Sequence, residues 1–240
     1  MSALLAQTRT ELVLTFRRGE SLLLVLGIPL VLLGFFSTVD VLPKGDFQDP
    51  VDFLFPGILA LAVMSTGMVQ LAIGTAFERQ YGVLKRLGFT PLGRPRLLTA
   101  KTLSIVAIEV VQITLLLALA LALGWDAYIR AGAVAAVVLG TIAFSGIGLL
   151  MAGRLRGEVT LAAANGLYLL LLLMGGMVVP LSELPAGLRF VAELLPSGAL
   201  VEILVGTLNA GQTVPLHAWI VLLTWAIVAP ALAAKTFRWE

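Results

Sequence analysis

The chain has 240 residues, of which 59% are hydrophobic and only 12% are charged, and its formal net charge at pH 7 is +2. Soluble domains average about 45–50% apolar and about 25% charged residues, so this composition favours an integral membrane protein and excludes a disordered chain and a nucleic-acid-binding module. The chain has no cysteine and one histidine, which excludes a disulfide framework and an all-histidine metal site. We therefore expect no metal site.

The N-terminal segment 3–18 is predicted to form a helix outside the membrane. At 100° per residue Leu5, Leu12 and Phe16 share one helix face, while Gln7 and Thr10 lie opposite. Two interpretations stay open. The segment is either a helix lying on the cytoplasmic leaflet or an ordinary positively charged flank of the first span.

Six stretches are long and apolar enough to be transmembrane helices, because a helix needs about 20 apolar residues to cross the bilayer core. They lie at 21–39, 53–77, 102–124, 131–152, 159–181 and 216–234. They are too long and too continuously apolar for barrel strands, which alternate over about 10 residues. The sequence therefore predicts an all-α membrane protein in which residues 1–240 form one transmembrane domain.

The distribution of basic residues predicts how the spans are oriented. Thirteen of the 16 Lys and Arg residues fall in 1–20, 78–101, 153–158 and the tail after 234. Only Lys44, Arg130 and Arg189 fall on the other side. Since Lys and Arg accumulate in cytoplasmic loops, we expect both termini in the cytoplasm and a multi-pass protein of the cell membrane.

The basic segment 77–101 is longer than a tight turn requires, and it mixes apolar with basic side chains. It predicts a short helix that ends near Gly88, followed by Thr90 as an N-cap and Pro91 at the first helical position. The basic charge of this segment is what the positive-inside rule predicts for any cytoplasmic loop. Its length and apolar content favour a docking surface for another protein.

Polar side chains inside the predicted spans are candidates for a substrate path. Glu109 is the one charged residue within these spans, and a carboxylate near the bilayer centre costs about 2.5–3.5 kcal/mol on insertion scales. Gln112 follows one turn later, and Gln70 and Asn165 are weaker candidates. The alternative is that these groups hold helices together by hydrogen bonds.

The segment 181–214 is predicted to lie on the external side as two short helices. Pro185 and Pro196 interrupt it, and each helical piece is only about 10 residues long, too short to cross a membrane. Arg189 and Glu193 form an i,i+4 pair on the first piece. The segment is either a re-entrant hairpin or external lid, or a surface loop with two interfacial helices.

Two motifs together resemble the ABC-2 type transporter permeases. The first is Glu78-Arg79, then Gly82 to Leu87, Thr90-Pro91-Leu92, Arg96-Leu97-Leu98 and Lys101. The second is Met174 to Leu181, followed by Leu184-Pro185 and Leu194-Leu195-Pro196. The six spans, the cytoplasmic termini and the N-terminal helix complete the resemblance, which covers essentially the whole chain. Within the family, the chain is similar to the daunorubicin-exporter branch.

The resemblance implies a dimerising permease that pairs with separate ATPase subunits. A second copy or a related permease would complete the dimer in the lipid bilayer. ATP and Mg²⁺ would be bound by the ATPase, with no cofactor and no catalytic residue in this chain. The cargo would be a hydrophobic or amphipathic drug, antibiotic or lipid-like molecule, and the process would be export.

The resemblance also assigns roles to individual residues. A coupling helix within 77–101 would sit in a groove of the ATPase. Its coupling residues would be Glu78, Arg79, Tyr81, Gly82, Lys85, Arg86, Thr90 and Pro91. The external hairpin would be shaped by Pro180, Pro185, Arg189, Glu193 and Pro196. Pro95 departs from the family pattern, in which a large residue is more frequent, and we expect it to shorten the second cytoplasmic helix.

Two observations from the residues bear on this division of labour. Gly88 and Gly93 have the spacing of a P-loop, but the Lys-Ser/Thr that contact phosphate and Mg²⁺ are missing. A nucleotide-hydrolysing domain would need about 100–200 further residues. The alternative function is an ion-coupled secondary transporter or channel, which usually carries more charge within the membrane and does not need a long basic and apolar loop.

Overall fold

The computed structural model describes residues 3–17, 19–39, 47, 49–88 and 93–238. Throughout these residues the regular structure is helical, which confirms the predicted all-α class. The helices are α1 (Ala3–Arg17), α2 (Gly19–Thr38), α3 (Pro50–Met64), α4 (Leu71–Gln80), α5 (Val83–Gly88), α6 (Arg94–Ala122), α7 (Ala131–Ala152), α8 (Gly157–Met174), α9 (Ala186–Glu193), α10 (Pro196–Leu208) and α11 (Leu216–Thr236). A π-helical segment, Ser65–Gln70, joins α3 to α4, and a 3₁₀ turn, Leu181–Glu183, precedes α9.

Five helical stretches in the described ranges are long and apolar enough to cross a membrane, and each matches a predicted span. They are Pro50–Gln80, Pro95–Ala122, Ala131–Ala152, Gly157–Met174 and Leu216–Thr236. The remaining predicted span, 21–39, corresponds to α2, which contains the shorter apolar stretch Leu23–Thr38. The bent pair α9–α10 passes the same test as one broken span or as a re-entrant loop.

Two predicted boundaries differ from the structure. The span predicted at 159–181 ends as a helix at Met174, because Gly176 has φ +73°, a left-handed conformation that does not continue an α-helix. The span predicted at 102–124 is the final part of α6, which begins at Arg94 with Pro95 in its first turn. The expectation that Pro95 shortens the second cytoplasmic helix is therefore wrong: Pro95 lies in the first turn, where its missing N–H costs nothing, and the helix runs on for 29 residues.

Helix α7 lies at the centre of the bundle and packs against α11, α10, α4 and the π-helical segment. Two glycines permit the closest approaches. A Cβ on Gly146 would lie 2.5 Å from the backbone nitrogen of Pro230 in α11, and a Cβ on Gly148 would lie 2.6 Å from the carbonyl oxygen of Met68. Small residues of this kind let helix backbones approach each other within a membrane.

The π-helical segment Ser65–Gln70 interrupts an otherwise continuous helix of 31 residues, Pro50–Gln80. Such segments widen the helix by one residue in a turn and occur frequently at functional sites. Here Thr66 is buried and its hydroxyl donates to the carbonyl oxygen of Ala62 at 2.9 Å.

Helix α10 enters the bundle, whereas α9 lies at its edge. The two helices meet at 87°, and most residues of α10 are buried against α7, α3 and α11. By contrast Phe190 and Leu188 of α9 are 64% and 50% exposed. The burial of α10 contradicts a simple surface loop and agrees with a hairpin that re-enters the protein.

Helix α1 packs against α6 through a face that includes Glu11. Glu11 is buried, whereas Leu5 is 56% exposed. The predicted apolar face included Leu5, Leu12 and Phe16, and the Phe16 side chain lies outside the described part. Glu11 can be buried because it has a charged partner on α6, described below, and the contact of the apolar face with the leaflet stays a prediction.

Candidate functional site

Charged residues that the structure describes make contacts at both ends of the bundle. At one end, which we call the basic end, contacts join Glu11, Glu78, Lys101, Leu155 and the tail after α11. The opposite end holds the 124–130 loop, the C-terminus of α10 and the turn before α11. This separation agrees with the predicted distribution of charge.

The 78–88 segment turns the chain at the basic end from α4 into α5. Gly82 has φ +72°, which suits glycine, and its N–H donates to the carbonyl oxygen of Arg79 at 3.0 Å. Leu84 of α5 is fully buried in an apolar cluster with Leu97 and Phe237. Leu84, together with the partly buried Leu87, thus packs α5 against a cluster that includes residues of α6 and α11.

The outward face of the 78–88 segment combines aromatic, apolar and basic groups. Tyr81 is 72% exposed, and its ring stacks on Phe77 with centroids 6.1 Å apart. Val83, Lys85 and Arg86 are also exposed. Aromatic side chains and Arg are the groups most enriched where proteins bind one another.

Glu78, one of the predicted coupling residues, turns inward. Its Oε2 lies 2.5 Å from Lys101 Nζ, and Lys101 also contacts Glu11 Oε1 at 3.0 Å. The Lys101 side chain is only 2% exposed. A buried lysine requires such partners, so this triad joins α1, α4 and α6 at one point.

Arg79 and Gln80 tie the same segment to the α7–α8 connection. Arg79 Nη2 donates to the carbonyl oxygen of Leu155 at 2.5 Å. The Gln80 side chain accepts a hydrogen bond from Gly157 N at 3.0 Å and donates to Glu158 Oε1 at 2.9 Å. Of the predicted coupling residues, Glu78 and Arg79 therefore bond to other helices or loops, while Tyr81, Lys85 and Arg86 are exposed. Thr90 and Pro91 lie outside the described residues.

Sequence reasoning missed the roles of Glu11, Gln80 and Lys101. A usable signal was present for Lys101, because a lysine directly before an apolar span needs a partner if its helix packs against others. The positions of Glu11 and Glu78 on the same predicted side supplied that partner. Nothing local identified Gln80, whose contacts are 77 and 78 residues away along the chain.

Glu109 lies in the middle of α6 and is 2% exposed. Thr141 Oγ1 of α7 lies 2.5 Å from Glu109 Oε2 and 2.9 Å from the carbonyl oxygen of Val137. The second carboxyl oxygen, Oε1, is buried and has no hydrogen-bond partner. Glu109 and Thr141 both line a groove of about 600 Å³ whose other walls are mainly apolar.

The other three candidates for a substrate path lie elsewhere. Gln112 Nε2 donates to the carbonyl oxygen of Val25 at 2.7 Å, and its Oε1 lies 3.1 Å from Thr66 Oγ1, so it joins three helical segments. Gln70 lines a separate cavity of about 300 Å³ at the basic end. Asn165 is exposed on α8 and donates to the carbonyl oxygen of Leu161. The structure does not bring the four together.

The prolines of the hairpin occupy turn positions. Pro180 is buried before the 3₁₀ turn, Pro185 precedes α9, and Pro196 opens α10. These positions suit proline, because its fixed φ is compatible with a helix start. The predicted pair of Arg189 and Glu193 is present, with Arg189 Nε 2.9 Å from Glu193 Oε1.

Besides the packing of α10 against α11, two polar contacts between described residues join the hairpin to α11. His217 Nε2 lies 3.1 Å from Glu202 Oε2. Trp225 Nε1 donates to the carbonyl oxygen of Leu194, at the bend between α9 and α10, at 3.1 Å. The hairpin is therefore held by the last span as well as by its own sequence neighbours.

Comparison with known families agrees with this architecture. A family model described as ABC-2 type transporter matches residues 2–209. That range includes the α1–α6 contact, the 78–88 segment, the Glu109 groove and the hairpin. No curated protein matches the chain. The chain therefore belongs to the ABC-2 type transporter family, as a multi-pass membrane permease.

Proposed function

We propose that this chain is the permease subunit of an exporter, that a separate ATPase subunit docks on the outward face of the 78–88 segment, and that the basic end is cytoplasmic. One observation carries the proposal. Leu84 is fully buried and fixes α5 against the bundle, while Tyr81 is 72% exposed and Lys85 and Arg86 also face outward. A short helix held in this way offers a rigid, basic and aromatic surface to a partner.

The contacts of the segment supply a route for movement. Gln80 is the last residue of the helical stretch Pro50–Gln80, so displacement of α5 acts directly on that span. The Glu78–Lys101–Glu11 triad passes the displacement to α6 and α1. The Gln80 contacts pass it to the start of α8. Closure of two ATPase subunits on ATP and Mg²⁺ would thus tilt several spans together.

The proposal includes four further assignments, which concern orientation, partner permease, cargo and exit. Both termini lie in the cytoplasm, because the basic end faces that side under the positive-inside rule. Two permeases, either two copies or this chain and a related one, form the transport path between them. The cargo is hydrophobic or amphipathic, since the groove beside Glu109 is mainly apolar. The hairpin of α9 and α10 shapes the exit on the opposite side.

Affinity purification in mild detergent, from cells that also express the chain's natural neighbours, tests the proposal. We expect an ATPase to co-purify with the chain and to be lost from the variant Lys85→Glu/Arg86→Glu. The control Arg154→Glu/Lys235→Glu makes the same change in net charge at exposed positions outside the segment and should retain the ATPase. Natively abundant, folded protein that carries no ATPase would contradict the proposal and favour an ion-coupled carrier or channel.

A further inference from the structure

A lateral groove opens between α6 and α7. Its volume is about 600 Å³, within the range of about 300–1,000 Å³ that is typical of small-ligand sites. The walls include Val106 and Val110 of α6 and Val134 and Val138 of α7, and each of these valines is between 38% and 64% exposed. The groove is thus apolar along its length and open from the side.

Glu109 places one carboxyl group in this apolar surface. Thr141 lies within hydrogen-bonding distance of Glu109 Oε2, whereas Oε1 is buried without a hydrogen-bond partner. None of the described residues that line the groove is Lys, Arg or His. A buried polar atom that lacks a partner is unfavourable, so an additional donor at Oε1 would be stabilising.

The geometry points to a hydrophobic molecule with a protonated amino group as the occupant of this groove. Its apolar body lies along the valine walls, and its ammonium group donates to Glu109 Oε1. An ammonium supplies three donors and a charge opposite to that of a carboxylate. A lipid acyl chain or the apolar face of a second copy would fill the same volume but leave Oε1 unpaired, and an anionic ligand would bring a further acceptor to Oε1 and not a donor.

The inference rests on the proposed function only in that this ligand is a candidate for the exported cargo. Binding itself requires no ATPase. We would measure equilibrium binding of radiolabelled dodecylamine to the full chain in phosphatidylcholine nanodiscs, with empty nanodiscs subtracted. Unlabelled dodecanol serves as a competitor with the same chain but no positive charge.

We expect dodecylamine to bind at least tenfold more tightly than dodecanol. Glu109→Gln, which preserves the size of the side chain, should remove this preference. Glu202→Gln, the same chemical change outside the groove, should not affect it. A groove-filling variant, Val138→Trp, should weaken the binding of both ligands, which identifies the groove without altering the carboxyl group.

Equal affinity for the amine and the alcohol, or a preference that persists in folded Glu109→Gln protein, would overturn the inference and leave the groove to lipid chains or a second copy. The proposed function fails differently, by the absence of a co-purifying ATPase. A chain that binds an ATPase but shows no amine preference would retain the permease function and lose only this ligand.

Discussion

Glu78 and Lys101 lie 23 residues apart in sequence, yet Glu78 Oε2 is 2.5 Å from Lys101 Nζ. The contact joins the end of the Pro50–Gln80 span to the early part of α6. Because Glu11 of α1 shares the same ammonium group, the lysine fixes the relative positions of three helices. The position of the 78–88 segment therefore depends on the buried charge of Lys101, which does not itself face the proposed ATPase.

Replacing Lys101 with Met should destabilise the basic end. The substitution leaves two carboxylates beside one another without their counter-charge, and breaking a buried ion pair costs about 3–5 kcal/mol. We expect a lower apparent melting temperature in detergent and faster proteolysis between α1 and α2. The variant Glu11→Gln/Glu78→Gln/Lys101→Met, which removes all three charges, should recover part of the loss. Equal stability of Lys101→Met and the unaltered chain would contradict the role of the triad.

Gly146→Ala should disturb the contact between α7 and α11. The new Cβ would lie 2.5 Å from Pro230 N, and overpacking of this kind costs about 1–3 kcal/mol. The control is Gly166→Ala in α8, where nothing lies within 4 Å of a new Cβ and helix propensity improves by about 1 kcal/mol. Thermal denaturation in detergent should separate the two variants, and a Gly146→Ala protein as stable as Gly166→Ala would show that α7 and α11 do not pack this closely.

Gln112→Leu should loosen the packing of α2 and the π-helical segment against α6. The leucine loses the bond to Val25 and leaves polar groups of α2 and Thr66 with fewer partners, at a cost of about 1–3 kcal/mol. Gln112 does not line the Glu109 groove. The Gln112→Leu protein should therefore still bind dodecylamine at temperatures where it is folded. Selective loss of dodecylamine binding in stable Gln112→Leu protein would contradict this separation of roles.

Trp225→Phe should loosen the attachment of the hairpin to α11. The phenyl ring retains much of the packing but cannot donate to the carbonyl oxygen of Leu194, and one such hydrogen bond contributes about 0.5–1.5 kcal/mol. Limited proteolysis at 184–195 reports the effect. Trp219→Phe, on the same helix and without a described bond to the hairpin, is the control. Equal cleavage rates for the two variants would argue against the link.

The spans, the helical class and the positions of the hairpin prolines could be predicted because they follow from local properties, namely apolar length and the conformational limits of proline. The exact ends could not, since the end of α8 depends on the positive φ of Gly176 rather than on hydrophobicity. The sequence places Glu78 and Lys101 on the same side of the membrane, but their pairing across 23 residues depends on how α4 packs against α6.

The residues of the candidate substrate path were likewise predictable only in part. The sequence identified Glu109 as unusual, because a carboxyl group in an apolar span requires a partner or a ligand. It could not show that Glu109 and Gln112, three positions apart, serve different contacts. That difference arises from neighbours on α7 for Glu109 and on α2 for Gln112, which are set by helix packing rather than by the helix period.

Site-specific cross-linking provides the most direct evidence on where the ATPase binds. The chain has no cysteine, so Tyr81→Cys and Arg189→Cys each carry one reactive thiol, at the basic end and on the hairpin. In intact cells we expect Tyr81→Cys to cross-link to an ATPase subunit and to resist a membrane-impermeant thiol reagent, while Arg189→Cys reacts with that reagent and forms no such cross-link. An externally labelled Cys at position 81, or an ATPase cross-linked to position 189, would contradict both the orientation and the docking surface.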